Sequence, residues 1–111
     1  RRDKVGSMTS RMLVVAPAAQ DDLRDIYRYG LRTWGGRQAD DYLEQFRDCF
    51  WMLTTQPDAG RSRAELGRDL RSFRVRQHVV FYRLAPGQLQ IVRVLHARQD
   101  TATVFIRQQQ F

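Results

Sequence analysis

A chain of 111 residues, with 42% hydrophobic and 28% charged side chains, is one globular domain's worth: there is no room for a second core, and disorder is not the default. No apolar run approaches the roughly 20 residues that span a bilayer, nothing at the N-terminus reads as a signal peptide, and the single cysteine, Cys49, excludes an internal disulfide, so a cytoplasmic setting is expected. The net charge of +7 sits in one half, because residues 1–60 carry nine basic and nine acidic side chains whereas residues 61–111 carry ten arginines against Glu65, Asp69 and Asp100.

Residues 1–7 read as a vector remnant, since Gly6-Ser7-Met8 is a common cloning scar, and a single domain is expected over 8–111. Met12 to Ala16 is a short apolar run that suits a buried strand. Pro17 fits the first position of a helix, where its missing N–H has no helical partner anyway. Asp21, Asp22 and Asp25 are expected near the positive end of that helix. Leu23, Ile26, Tyr27, Leu31 and Trp34 recur at helical spacing as one apolar stripe, and Gly35-Gly36 breaks the helix.

A second helix is predicted from about Arg37 to Thr55, with Ala39, Tyr42, Leu43, Phe46, Phe50 and Leu53 on one face and Cys49 at its edge. Asp40-Asp41 is expected to serve that helix's dipole. Trp51 and Met52 lie off the stripe, and an off-stripe tryptophan is a candidate binding anchor. A linker as short as Gly-Gly folds two helices back on one another. Pro57 stops the second helix, and Asp58 to Gly67 reads as a loop.

From Leu70 the period becomes two. Phe73 and Val75 alternate with Arg74 and Arg76, while His78–Leu84 and Leu89–His96 are apolar on both faces, as central strands are. Ala85-Pro86-Gly87-Gln88 supplies the turn between them. The tail after Ala97 has weak signals, with Val104, Phe105 and Ile106 as its only apolar cluster. The order β-α-α-β-β-β predicts an α+β fold: an N-terminal strand and an antiparallel two-helix hairpin on a mainly antiparallel sheet of three to four strands. The face of the sheet away from the hairpin needs a cover, whether the tail, a second copy or another chain.

Several segments together resemble ParE-type toxins of the RelE/ParE superfamily. Ala16-Pro17-Ala18-Ala19 with Asp22-Leu23 and Ile26-Tyr27 is similar to the family's opening helix. Trp34-Gly35 with Ala39 and Tyr42 resembles its helix junction, and Gln56-Pro57-Asp58-Ala59-Gly60-Arg61 its turn. Leu70-Arg71-Ser72-Phe73, His78 to Arg83 and Ile91 to His96 resemble its three strands, with Arg98 and Asp100 in its closing segment. The resemblance covers residues 12–100. It implies the growth-inhibiting toxin of a type II toxin–antitoxin pair, of the kind that serves plasmid or chromosome maintenance. Such a toxin is neutralised in a hetero-oligomer by a ParD-like antitoxin with an acidic, flexible C-terminal segment, and it acts by binding DNA gyrase. The family often has a serine where Ala16 stands, a loss of about 1 kcal/mol of helix capping.

Arginine favours planar, bidentate contacts to carboxylate or phosphate. Arg71, Arg74, Arg76, Arg83, Arg93 and Arg98 are therefore the expected partner-binding surface, with Trp51 and Tyr82 as apolar anchors. The rival reading is a RelE-like, ribosome-dependent mRNA endoribonuclease. It needs an acid, a base and cations for the phosphorane. With no lysine after Lys4 and no tyrosine after Tyr82, those roles would fall to His78, His96 and Arg83. Cys49 reads as core, and no His, Cys or Asp cluster has metal-ligand spacing, so no metal or cofactor is expected. Binding without catalysis is the expectation.

Overall fold

In the computed structural model, which describes residues 11–109, the chain opens with β1 (Met12–Val15) and the helix α1 (Pro17–Trp34). The expected vector remnant and the start of the domain lie outside the described residues. Pro17 occupies the first turn of α1, and Ala16 gives no side-chain cap. The acidic residues are not in that first turn. They are placed further along as tethers: Asp21 pairs with Arg24 at 2.7 Å, Asp25 with Arg28 at 3.9 Å, and Asp22 reaches across to the sheet. The expectation of dipole partners is thus corrected for both helices, because Asp40 and Asp41 also lie beyond the first turn of α2 (Gly36–Thr55). Asp40 instead accepts the Tyr27 phenol proton at 2.7 Å and ties the two helices together.

The reversal between α1 and α2 rests on Gly35, whose φ of 96° is left-handed backbone that a side chain would strain. The face predicted for α2 is the buried one: Ala39, Tyr42, Phe46, Phe50 and Leu53 are all inside, and so is Cys49. The stripe predicted for α1 is only half correct. Leu23 and Ile26 pack on the core, but Leu31 and Trp34 are 42% and 41% exposed.

After a 3₁₀ turn at Pro57–Ala59 the sheet follows, in the spatial order β1-β5-β4-β3-β2. Its later strands are β2 (Arg61–Ser62), β3 (Leu70–Val75), β4 (His78–Ala85) and β5 (Gln88–His96). β1 runs parallel to β5, and every other pair is antiparallel. Five strands form where three to four were expected, since two residues of the presumed loop pair with β3. Pro86-Gly87 is the two-residue turn of the last hairpin, with Gly87 at φ 69°. Between Phe81 and Tyr82 the register against β5 slips, so that Phe81 faces Arg93 and Tyr82 faces Ile91, leaving Val92 unpaired.

The sheet separates two apolar clusters. On the hairpin side Val80, Tyr82, Leu89 and Ile91 are fully buried beneath α1 and α2. At about 25 cal/mol per Å² of apolar surface, each such side chain contributes roughly 1.5–3 kcal/mol. On the other side Leu70, Phe81 and Leu95 meet Leu66 and Phe105. Phe105 belongs to a third helix, α3 (Thr101–Gln109), formed by the tail whose signals were weak. Its ring lies 5.0 Å from that of Phe81, so this part of the chain itself covers part of the second face. No helix among the described residues is long and apolar enough to cross a membrane.

Candidate functional site

The predicted arginines do not form one surface. Arg93 is consumed internally: its Nε and Nη2 each donate to the Asp22 carboxylate at 2.8 Å, and the same carboxylate accepts the Val94 N–H at 2.8 Å. Both side chains are largely buried, and the carboxylate holds the Arg93 guanidinium above its usual pKa. Arg71 is consumed as well. It donates twice to the Gly60 carbonyl, at 3.1 and 2.6 Å, and so fixes the turn after α2. Arg74, Arg76 and Arg98 are exposed, whereas Arg83 is half-buried.

Tyr82 is no surface anchor either. It is fully buried, donates to the Pro57 carbonyl at 2.6 Å and accepts the Gly60 N–H at 2.9 Å. A Cβ on Gly60 would come within 2.5 Å of this phenol oxygen, so the turn and the tyrosine are fitted to one another. Burial raises the Tyr82 pKa.

Trp51, by contrast, is 55% exposed. It lines an open groove of about 590 Å³ formed by β1, α1 and α2, with Leu13, Leu23, Leu43 and Phe50 among its walls and Arg24 and Arg47 also lining it. These wall residues were expected only as core, because periodicity reveals which face is apolar but not whether the opposing element closes over it.

β1 is also an edge strand. Met12 and Ala16 donate to the Gly87 and Ile91 carbonyls of the strand β5 side at 3.0 and 2.9 Å, which turns the backbone groups of Leu13 and Val15 away from the sheet. The Val15 carbonyl accepts from the Gln20 side chain at 2.9 Å. An extended segment laid beside β1 would meet the remaining edge groups and the groove together.

The two histidines meet at the opposite end of the hairpin. They are direct cross-strand partners with ring centroids 5.2 Å apart. His78 is half-buried, with Nδ1 2.7 Å from the Tyr42 phenol oxygen and its ring packed near Phe46. Burial, and then the neighbouring His96, lower its pKa to about 4. His96 Nδ1 accepts the Arg98 backbone N–H at 3.1 Å. Tyr29, Trp34 and Arg98 line the same cleft of about 580 Å³.

Arg83, the third residue of the rival nuclease constellation, is not with them. It pairs across to Leu70, a member of the cluster on the second face, whereas His78 packs against α2 on the hairpin face. Burial also pushes the Cys49 thiol up to about 12, which suits a packed core group and not a thiolate. Among the described residues no three His, Cys, Asp or Glu side chains converge as a metal site.

Residues 13–101 match the ParE toxin of the type II toxin–antitoxin system, parDE. The chain is 35% identical to Toxin ParE1 of Mycobacterium tuberculosis over 94 residues, which is 84% of this chain and 95% of that one. Its fold superposes on the chromosomal ParDE system of P. aeruginosa with a TM-score of 0.71 at 18% identity, covering 80% of this chain and 98% of that one. It also resembles the RelBE2 toxin–antitoxin complex of Mycobacterium tuberculosis, with a TM-score of 0.59 at 19% identity over 80% and 93% of the two chains. The match over most of its length and the identity to curated relatives show that the chain belongs to the ParE toxin family of type II toxin–antitoxin systems.

Proposed function

We propose that this toxin acts by binding, with DNA gyrase as its target, and that a ParD-like antitoxin neutralises it by occupying the groove between β1 and the helical hairpin. The observation that carries the antitoxin half is the coincidence of an apolar groove with a strand edge that no other strand pairs among the described residues. A segment with apolar side chains at alternate positions satisfies both at once, and carboxylates on it would meet Arg24 and Arg47. One solved relative is a ParDE toxin–antitoxin system and the other a RelBE2 toxin–antitoxin complex. Trp51 is the anchor in this reading, and Trp51→Ala should weaken the antitoxin complex by about 2 kcal/mol, read by calorimetry. A change below about 0.5 kcal/mol would remove Trp51 from the interface.

Support for binding without turnover comes from the way the acid–base candidates are arranged. The imidazoles are in edge-to-face contact, His78 is held against the Tyr42 phenol, and Arg83 lies across the sheet from His78. Gyrase enters through the family alone. Trapping one intermediate of an enzyme needs only that the inhibitor bind that state better than the others. The purified toxin is expected to block gyrase supercoiling and to leave ribosome-bound mRNA intact. Site-specific mRNA cleavage that is lost in His78→Ala or His96→Ala would establish the nuclease instead.

A further inference from the structure

Five arginines gather around the second face of the sheet, and among the described residues only Arg74 of the five has a side-chain hydrogen bond within the fold, its Nε donating to the Arg76 carbonyl. Cross-strand partners share a face. Arg61 is opposite Ser72, which is opposite Phe81; Arg74 is opposite Val79; and Arg83 is opposite Leu70. Phe81, Val79 and Leu70 all belong to the cluster beneath α3, so these three guanidinium groups emerge on that side. Arg68, on the loop beside Leu66, and Arg107, on α3, are exposed at its margin.

None of the five makes an ion pair among the described residues. The neighbouring acid Glu65 is already bonded to Arg63 at 2.8 Å, and Asp100 caps α3 through Thr103. Arg83 also keeps a buried Nε–H without an acceptor in the protein. Arginine heads spread over three strands and a helix, with Glu65 near Arg61 already committed to Arg63, call for an extended chain of anions.

We infer that this arginine-bearing face, on the side of the sheet away from the helical hairpin, binds the phosphate backbone of a nucleic acid. An acidic polypeptide is the other polyanion to weigh. A folding acidic segment gains most of its affinity from apolar burial, and the apolar groove lies on the other side of the molecule, at β1. Phosphodiesters need no such groove; they need guanidinium forks at intervals over a broad surface. The inference is independent of the gyrase reading, since it concerns direct contact with nucleic acid and requires no third protein.

The test is fluorescence anisotropy with the full chain and a labelled 20-base-pair DNA duplex of arbitrary sequence, over a range of salt concentrations, with an RNA duplex of the same sequence in parallel. Binding is expected to weaken with salt at a log–log slope of about −3, as the neutralisation of three or four phosphates requires. Arg61→Gln/Arg74→Gln, both at exposed positions, should flatten the slope by about 2 and weaken binding at least tenfold. Arg28→Gln/Arg32→Gln on α1 removes the same charge and should leave the slope unchanged. Equal binding of both duplexes identifies the backbone alone as the ligand, and preference for one tells which nucleic acid is the source. Three outcomes would overturn the inference: no salt-dependent binding, an equal loss in the α1 variant, or polyglutamate competing as well as DNA.

Discussion

The Arg93–Asp22 pair shows how a residue chosen for its charge can turn out to hold the fold together. Its fork-on-fork geometry joins α1 to β5 across 71 residues of sequence, with the Val94 N–H as a third bond on the same carboxylate. Arg93→Ala leaves a largely buried carboxylate without its cation and should cost about 3 kcal/mol in urea unfolding. Asp22→Ala should cost at least as much, because it also strands the Val94 N–H. A loss below about 0.5 kcal/mol for Arg93→Ala would return that arginine to the surface. His78 sets a second expectation at this scale. Its folded pKa of about 4 lies below the usual imidazole value, so protonation favours the unfolded chain. The stability it contributes is complete above about pH 6.5 and declines as the pH falls toward 4, by up to ~1.4 kcal/mol per pH unit. In His78→Gln that decline between pH 6.5 and 4 should be shallower, as read from melting temperature against pH, and parallel curves would refute it.

At the scale of elements, α3 is the clearest departure from what the sequence disclosed. Val104, Phe105 and Ile106 are consecutive, so they trace no helical stripe, and only Phe105 is buried when the helix forms. What specifies α3 is the apolar second face of the sheet, to which it supplies one aromatic side chain, together with the Asp100 carboxylate that accepts the Thr103 N–H at 3.2 Å. Phe105→Ala should therefore destabilise the fold by about 3 kcal/mol, measured by denaturant titration. A neutral result would mean that the helix is not needed as a cover. The hairpin and the three long strands were legible because α2 keeps the helical period along its buried face, β3 alternates with a period of two, and β4 and β5 are largely apolar runs separated by a Pro-Gly turn. β2 was not, since two residues are too few to show any period. The site was less legible than the fold. Trp51 was visible as an aromatic off its stripe, but the groove beside it depends on how closely α1, α2 and β1 approach, and spacing along one chain does not encode that distance.

For the whole molecule, the functional surfaces divide by chemistry. The hairpin side carries an apolar groove beside β1, whose outer edge no strand pairs among the described residues, and this is the surface proposed for an amphipathic antitoxin segment. The opposite side carries arginines with few acids. The histidine cleft at the hairpin end lies apart from Arg83 and brings together a packed aromatic chain from Tyr29 through Trp34 and Tyr42 to His78. Under the proposed binding reading, the toxin acts in proportion to the number of targets it occupies. A nuclease would act in proportion to time. The most direct test is a titration of gyrase supercoiling against toxin concentration, with gyrase fixed well above the dissociation constant and incubation times varied tenfold. Inhibition should saturate near one toxin domain per gyrase site and should not deepen with time. Complete inhibition at a small fraction of that ratio, advancing steadily with incubation, would contradict action by binding.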